Sequence, residues 1–529
     1  MRALSRSMGL VWLLASVAHG EMISGTVKDP SGAPFKGAFV QARSDAKSKI
    51  TISVLSDKQG RYRMENLSPG GYEVWATAIG YKSDPPAGVK VDAGKPASRD
   101  FALQKGMVRW SDLTVYQGKK LLPEGKGKAV LFGQCYICHG FQTRMAATRR
   151  DEAGWLRAVN FMRESFHSRL APIVSDQDAA AVASYLNTTF GVDSELPRSP
   201  AELPGYKETV RPFSDAAMKI VYVDYDLPGP NRMPFSGAPD KDGKIWIPDF
   251  GRANRIARLD PGTGEMQEFV VPNQGTAGVH SAWPAPDGTV WLTQQASNKV
   301  GKWDPATGKI TEYQDAYQPG KEGLEAGGSK HTVRVDFNGY VWSSGSPLTR
   351  LDPKTGKFTR FSEVPSAYDV NLDKEGNVWF TSYRESKIGK ADAKTGKLTI
   401  WNLPDPNSHP RRIVVDPEGI AWVGEFISGK IARFDPKTET FKEYQLPGQS
   451  PTPYSLGIDA KNNIWYSSHD LDVLGRLDPK TGEVTEYPMP YPENYMKEFF
   501  LDAQGRMWFG TPPNNKVGYF TVADGGGSQ

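Results

Sequence analysis

The sequence predicts a mainly β protein in three parts: an N-terminal β-sandwich, a small all-α unit and a C-terminal seven-bladed β-propeller. Three observations predict it. Tryptophan recurs at Trp246, Trp291, Trp342, Trp379, Trp422, Trp465 and Trp508, spaced by 45, 51, 37, 43, 43 and 43 residues, and a repeat of about 40–45 residues with strand character marks propeller blades. Short runs alternating between apolar and polar residues fill residues 22–103, the period of half-buried strands. Over residues 123–190 the apolar positions instead recur at helical spacing.

The bulk properties agree with several domains. At 529 residues the chain exceeds what one core usually serves, and 54 Gly with 40 Pro favour turns and short strands. A formal charge of +4 without any basic run makes nucleic acid an unexpected partner. Arg2 and Arg6 precede an apolar run at residues 8–18 and the tripeptide Ala18-His19-Gly20, the pattern of a cleaved bacterial export signal. That run is too short to span a bilayer, and no later stretch reaches the required length. The expectation is a periplasmic or secreted protein without a transmembrane segment after cleavage.

The sandwich follows from strands such as Ile23-Ser-Gly-Thr-Val27 and Tyr72-Glu-Val-Trp-Ala76, separated by turns such as Asp29-Pro-Ser-Gly32 and Asp57-Lys-Gln-Gly60. GTVKDPSGAPFKGAFVQA, continued by SDKQGRYRMENLSPGGYEVWATAIGY, resembles the carboxypeptidase regulatory-like domain. The resemblance implies a transthyretin-like seven-stranded sandwich without an active site of its own, serving as a spacer or as a carbohydrate- or partner-binding module.

The chain contains two cysteines, in Cys135-Tyr136-Ile137-Cys138, followed by His139. They stand too close together to staple a large fold. Cys-x-x-Cys-His is the attachment signature of c-type haem, with two thioethers and an axial imidazole from His139. A thioredoxin-type dithiol would require a βαβ setting, and a zinc site further ligands nearby. GKAVLFGQCYICHG and SDQDAAAVASYLNTTFG resemble the first and last helices of class I cytochromes c. That resemblance implies a covalent haem c, electron transfer with a redox partner protein or small-molecule donor or acceptor, and a second axial ligand. Met162 is the expected ligand, with Met145 and His167 as alternatives.

After each blade tryptophan come a strand, a tight turn such as Asp352-Pro-Lys-Thr-Gly356, and another strand, giving four strands per blade. The Asp-Pro-x-Thr-Gly elements at Asp304, Asp352 and Asp478 read as turns rather than calcium loops. The seventh copy lacks its outer strand, and residues 220–227 have the character of the missing one, so the two ends of the repeat should close the ring. GKIARFDPKTETFKEYQLP and NKVGKWDPATGKITEY resemble the virginiamycin B (streptogramin) lyase propeller. The resemblance implies a catalytic histidine eleven residues before a blade tryptophan, and a magnesium-binding glutamate three residues after one.

The first of these rim positions reads Phe235, His280, His331, Tyr368, Arg411, Tyr454 and Lys497; the second reads Asp249, Gln294, Gly345, Ser382, Glu425, Ser468 and Thr511. Antiparallel pairing should bring both sets to one mouth of the channel. His280, His331, Glu425 and Asp249 are therefore the candidate catalytic residues, able to act as base and electrophilic support or to hold a divalent metal such as magnesium. The pattern departs from that of the lyase, because no blade offers both histidine and glutamate and Arg411 is expected to pair with Glu425. The plain alternative is a mouth that is polar because seven blades converge on a wet channel.

The boundaries that follow are a leader at 1–20, the sandwich at 21–104, the haem unit at 105–192, a linker at 193–214, the propeller at 215–522 and a tail at 523–529. Three functional classes follow. The leading one is an exported c-type cytochrome fusion, the propeller docking a partner or a small ligand. The others are a lyase or oxidoreductase at the mouth, and a cell-surface scaffold.

Overall fold

The structure is a computed structural model that describes residues 21–46, 50–82, 85–136, 139–165, 174–273, 275–315 and 329–523. The expected leader at 1–20, Cys138, His167 and residues 524–529 of the tail lie outside the described residues.

Among the described residues, the C-terminal part folds into seven four-stranded antiparallel blades. Blade five shows the plan, with strands Pro410–Val415, Ala421–Glu425, Lys430–Asp435 and Thr440–Gln445 running from the channel outward. The second strand of each blade is buried throughout because it packs between neighbouring blades. Its tryptophan does more than fill volume. In six blades the indole N–H donates to an aspartate six residues earlier, at 2.7–2.9 Å: Asp240, Asp336, Asp373, Asp416, Asp459 and Asp502. The other oxygen of each carboxylate accepts main-chain N–H groups of the following turn, as Asp416 does from Glu418 and Ile420. One aspartate thus ties the turn to the blade core and satisfies a buried indole. Blade two has Ala285 at that position.

The ring closes where the two ends of the repeat meet. Lys516–Val522 pairs antiparallel with Ile220–Asp226 over seven residue pairs, so the seventh blade takes its outer strand from the start of the propeller. That outer strand is not an edge. Its other side pairs antiparallel with Ile50–Leu55 of the sandwich, Val221 facing Val54 and Tyr225 facing Ile50. The sheet continues through Phe39–Ser44 and Gly70–Thr77 to Ala87–Val91. Packed on it is a smaller sheet in which Ile23–Lys28 pairs with Arg61–Met64, around a core that includes Val40, Val74, Tyr62 and Phe101. Salt bridges Arg43–Asp226 and Lys36–Asp215 brace the junction.

The expected separate all-α cytochrome c domain at 105–192 is corrected. The segment is mixed: it enters from a ladder between Tyr81–Lys82 and Gln104–Lys105, and Arg150 forms a parallel bridge with Gly191. Around the cysteine motif the chain forms wide π-type turns, Leu131–Cys135 and Gln142–Ala146. Nor is its core its own, because Tyr495 of the propeller packs in the same cluster as Tyr136, Phe141, Trp155 and Leu186. Helical spacing reports an apolar face but not what covers it. Residues 193–214 pack on this segment: Trp110 Nε1 donates to the Pro197 carbonyl at 2.9 Å, and Thr209 is buried against Gln117.

Candidate active site at the propeller mouth

The innermost strands begin at the first rim position, and the structure joins all seven of its residues into one closed circle. Ring centroids of Phe235 and His280 lie 4.8 Å apart, those of His280 and His331 3.6 Å, and those of His331 and Tyr368 4.4 Å. The Arg411 guanidinium sits 4.5 Å from the Tyr368 ring and 5.0 Å from that of Tyr454. The Lys497 ammonium lies 4.3 Å from the Tyr454 ring and 6.0 Å from Phe235, closing the circle.

Register is fixed by a hydroxyl two residues after the blade tryptophan. Thr293 donates to the His331 carbonyl at 2.6 Å, Ser344 to Tyr368 at 2.9 Å and Thr381 to Arg411 at 2.8 Å, each stitching one blade to the next. The same hydroxyl oxygens accept main-chain N–H groups of their own innermost strands. Rim side chains are thereby held on main chain tied from both sides. The signal was available as Trp-Leu-Thr, Trp-Ser-Ser and Trp-Phe-Thr, but the sequence reading passed over it.

One residue further in lies a second layer that the sequence reading also missed. Arg412, 2% exposed, spans four blades. Its Nη1 donates to Thr332 at 2.8 Å, Asp369 at 2.9 Å and Glu498 at 3.2 Å, and its Nε to the Lys497 carbonyl at 2.8 Å. Arg334 joins Glu498 at 3.4 Å. Thr332 lies 3.2 Å from His331 Nδ1. Its oxygen already accepts from Arg412, so the hydroxyl proton is directed at Nδ1 and the His331 proton is assigned to Nε2. His280 makes a hydrogen bond to the His331 main chain, whereas its Nδ1 is buried without a partner. Burial, reinforced by Arg412 and Lys497 for His280 and by His280 and Arg412 for His331, pushes both imidazoles well below the ordinary histidine value. Both are neutral at neutral pH.

The second rim position does not join them. Its residues pair beside the first as expected, Glu425 opposite Pro410 and Gly345 opposite Lys330, but the side chains are engaged elsewhere, Gln294 with Glu312 and Glu425 beside Glu443 on their outer strands. Asp249 is engaged by Arg232 Nε at 2.5 Å and by the N–H groups of Met233 and Gly251, each at 2.9 Å. Glu425 is raised to about 8 by burial and by neighbouring Glu443. Arg411 lies in a cage of Tyr368, Tyr383, Phe426 and Tyr454 rather than against Glu425. The expected divalent-metal site is corrected accordingly. Cations, not carboxylates, border the histidines, and no group of three or more His, Cys, Asp or Glu able to hold a metal occurs among the described residues.

The same test corrects the haem reading. His139 is buried, with Nδ1 2.8 Å from the Gly140 carbonyl and 3.9 Å from Glu493 Oε1; burial lowers its pKa and Glu493 opposes the shift. Cys135 is half-buried, as is Met162 on the helix Glu152–Ser165, and the Tyr136 hydroxyl donates to Met145 Sδ at 3.5 Å. Among the described residues, His139 and Cys135 belong to no group of three or more His, Cys, Asp or Glu able to hold a metal. The covalent haem c, the iron ligation by His139 and Met162, and the electron-transfer role with a redox partner all fall with it. The motif fixes the order of donors along the chain, but not their convergence in space.

The segment 105–192 instead roofs the mouth from the side of blades six, seven and one. Tyr116 N–H donates to the Asp470 carbonyl at 2.8 Å and Lys119 pairs with the Asp470 carboxylate at 2.5 Å. Thr143 donates to Glu493 through N at 2.7 Å and Oγ1 at 2.6 Å, and the Tyr495 hydroxyl to the Tyr136 carbonyl at 3.1 Å. Arg252 stacks on Phe161 at 4.3 Å.

Fold and site together define a roofed β-propeller with a cationic, histidine-bearing mouth. Residues 356–526 match the virginiamycin B lyase family, and residues 22–104 match the carboxypeptidase regulatory-like domain. Among solved structures, the chain is similar to selenomethionine-substituted virginiamycin B lyase from Staphylococcus aureus, with 23% identity, 57% of this chain and 98% of that one covered, and a TM-score of 0.51. It is also similar to a streptogramin B lyase, at 24% identity, 59% and 100% coverage and a TM-score of 0.52. A third is a catalytically inactive histidine-to-alanine variant of the S. aureus enzyme with quinupristin, at 24% identity, 57% and 98% coverage and a TM-score of 0.51. At these identities the likeness establishes the shared propeller fold. No curated protein matches the chain.

Proposed function

We propose that the chain is a lyase working at the propeller mouth, opening an ester by elimination. The observation that carries this reading is the pair of neutral imidazoles, His280 and His331, in contact at 3.6 Å and bordered by cations. The family match over residues 356–526 and the streptogramin B lyase fold support it. So does a relative in which replacement of one histidine abolishes catalysis. The export pattern of residues 1–20 adds that the activity is exercised in the periplasm or outside the cell.

In this mechanism the unpartnered His280 Nδ1 takes a proton from the carbon next to a carbonyl. The C–H electron pair becomes a carbon–carbon double bond, and the C–O bond of the ester breaks, its electrons leaving on the carboxylate. His331, its Nδ1 held by Thr332 and its other ring nitrogen hydrogen-bonded to the Tyr368 main chain, holds its ring against His280, and the cations beside the pair favour the developing negative charge.

The test is incubation of the full chain with a cyclic peptide lactone such as quinupristin, followed by mass spectrometry and ultraviolet absorbance. Elimination gives a ring-opened isomer of unchanged mass with a new conjugated double bond, whereas hydrolysis adds a water. His280→Ala is expected to lower kcat by about 100-fold or more, and His331→Ala to lower it less. The acid limb of the wild-type profile should lie below the ordinary histidine value of about 6.5. Hydrolysis product alone, or an undiminished rate in both variants, refutes the reading.

A further inference from the structure

The charges at the mouth do not balance. Arg412 and Arg334 face Asp369 and Glu498, two cations against two carboxylates. Arg411 has no such partner. It is 4% exposed, enclosed by the rings of Tyr368, Tyr383 and Phe426 at 4.5 Å each and Tyr454 at 5.0 Å, and forms no ion pair among the described residues. Ring faces stabilise a cation without neutralising it, and the side-chain hydrogen bond to Tyr368 brings a neutral acceptor rather than a counter-charge. Its Nε is buried without a partner, as is Nη2 of Arg412. The two guanidiniums flank one ring, lying 4.5 and 5.8 Å from the centre of Tyr368.

Neutral histidines offer no compensation, and Glu425, raised to about 8, is protonated at neutral pH and turned toward Glu443. Burying a charge without a counter-charge is costly, and buried N–H groups without acceptors add to the cost. A planar, two-oxygen anion would relieve both, because a carboxylate accepts in the fork geometry that guanidinium presents.

We propose that the propeller mouth binds a small organic carboxylate, with Arg411 as its counter-ion and the unpartnered N–H groups of Arg411 and Arg412 as its donors. The inference rests on the mouth being the working site, as read above, but not on which bond is broken there. If an ester is opened by elimination, the carboxylate it releases is such a group, and Arg411 is the residue that receives it.

The experiment is calorimetric titration of the full chain at low salt with benzoate and with benzamide, a neutral isostere. Benzoate is expected to bind at least tenfold more tightly. Arg411→Gln should abolish that preference and Arg411→Lys reduce it, while Arg350→Gln, on the blade surface against Tyr340 and Trp342, leaves it intact. Equal affinity for the two probes, no binding of either, or a preference that survives Arg411→Gln overturns the proposal. If Arg411→Gln does not fold, the wild-type comparison and Arg411→Lys decide. A benzoate preference in a protein that eliminates nothing leaves this inference standing and removes the lyase; elimination without any benzoate preference does the reverse.

Discussion

At the rim, one substitution separates the chemistry of the mouth from its stability. Glu425 is buried beside Glu443, and its pKa is raised to about 8 by burial and by that second carboxyl. A folded-state value above the unfolded one means that the native protein holds a proton the unfolded chain has released. Stability from this group is therefore complete below about pH 4.3, falls as pH rises, and levels off above about 8. Glu425→Gln keeps the shape and removes the titration. Its melting temperature should exceed wild type by about 2–4 °C or more at pH 8, with the advantage shrinking toward pH 5; a constant difference across that range would refute the assignment. The seven first-position residues were legible from the tryptophan register alone, because a repeat carries each innermost strand to the same place. The direction of the second-position side chains was not, since Asp249 turns to Arg232 ahead of the first blade and Glu425 to Glu443 on its outer strand, partners that no spacing rule names.

The blade is the unit at the next scale, and its sequence code is fuller than a tryptophan and a glycine. The aspartate six residues before the tryptophan joins turn to core in six blades, so Asp416→Ala strands the buried Trp422 indole and two turn N–H groups at once. A loss of about 1–3 kcal/mol in urea unfolding is expected. The corresponding turn carboxylate in blade two, Asp287, bonds Thr289 and its own main chain but no indole, so Asp287→Ala should cost less; equal losses would contradict the role given to the indole bond. Blade number and strand order were legible because period-two alternation and turn residues recur seven times. The helical segment was legible as helix but misjudged as a self-contained unit. Its apolar face is completed by Tyr495, some 350 residues away in sequence, and local periodicity carries no information about such a partner.

Across the whole molecule, the sandwich, the roof and the propeller are held by continuous structure. The strand Ile220–Asp226 is hydrogen-bonded on both sides, to Lys516–Val522 and to Ile50–Leu55. Deleting residues 22–104 would expose one side of it as an open edge, and exposed edges template association. The truncated chain should lose stability and run as concentration-dependent oligomers by light scattering, whereas the full chain should not; a monodisperse, equally stable truncation would show that the shared sheet is incidental.

That doubly bonded strand also sets an order of events during synthesis. It emerges after the sandwich that flanks it is complete, while Lys516, its partner at Asp226, lies 290 residues downstream. Closing so long a loop is slow and entropically costly. A strand already docked on a finished neighbour waits in the right orientation, and the last blade meets a prepared template rather than a searching chain end.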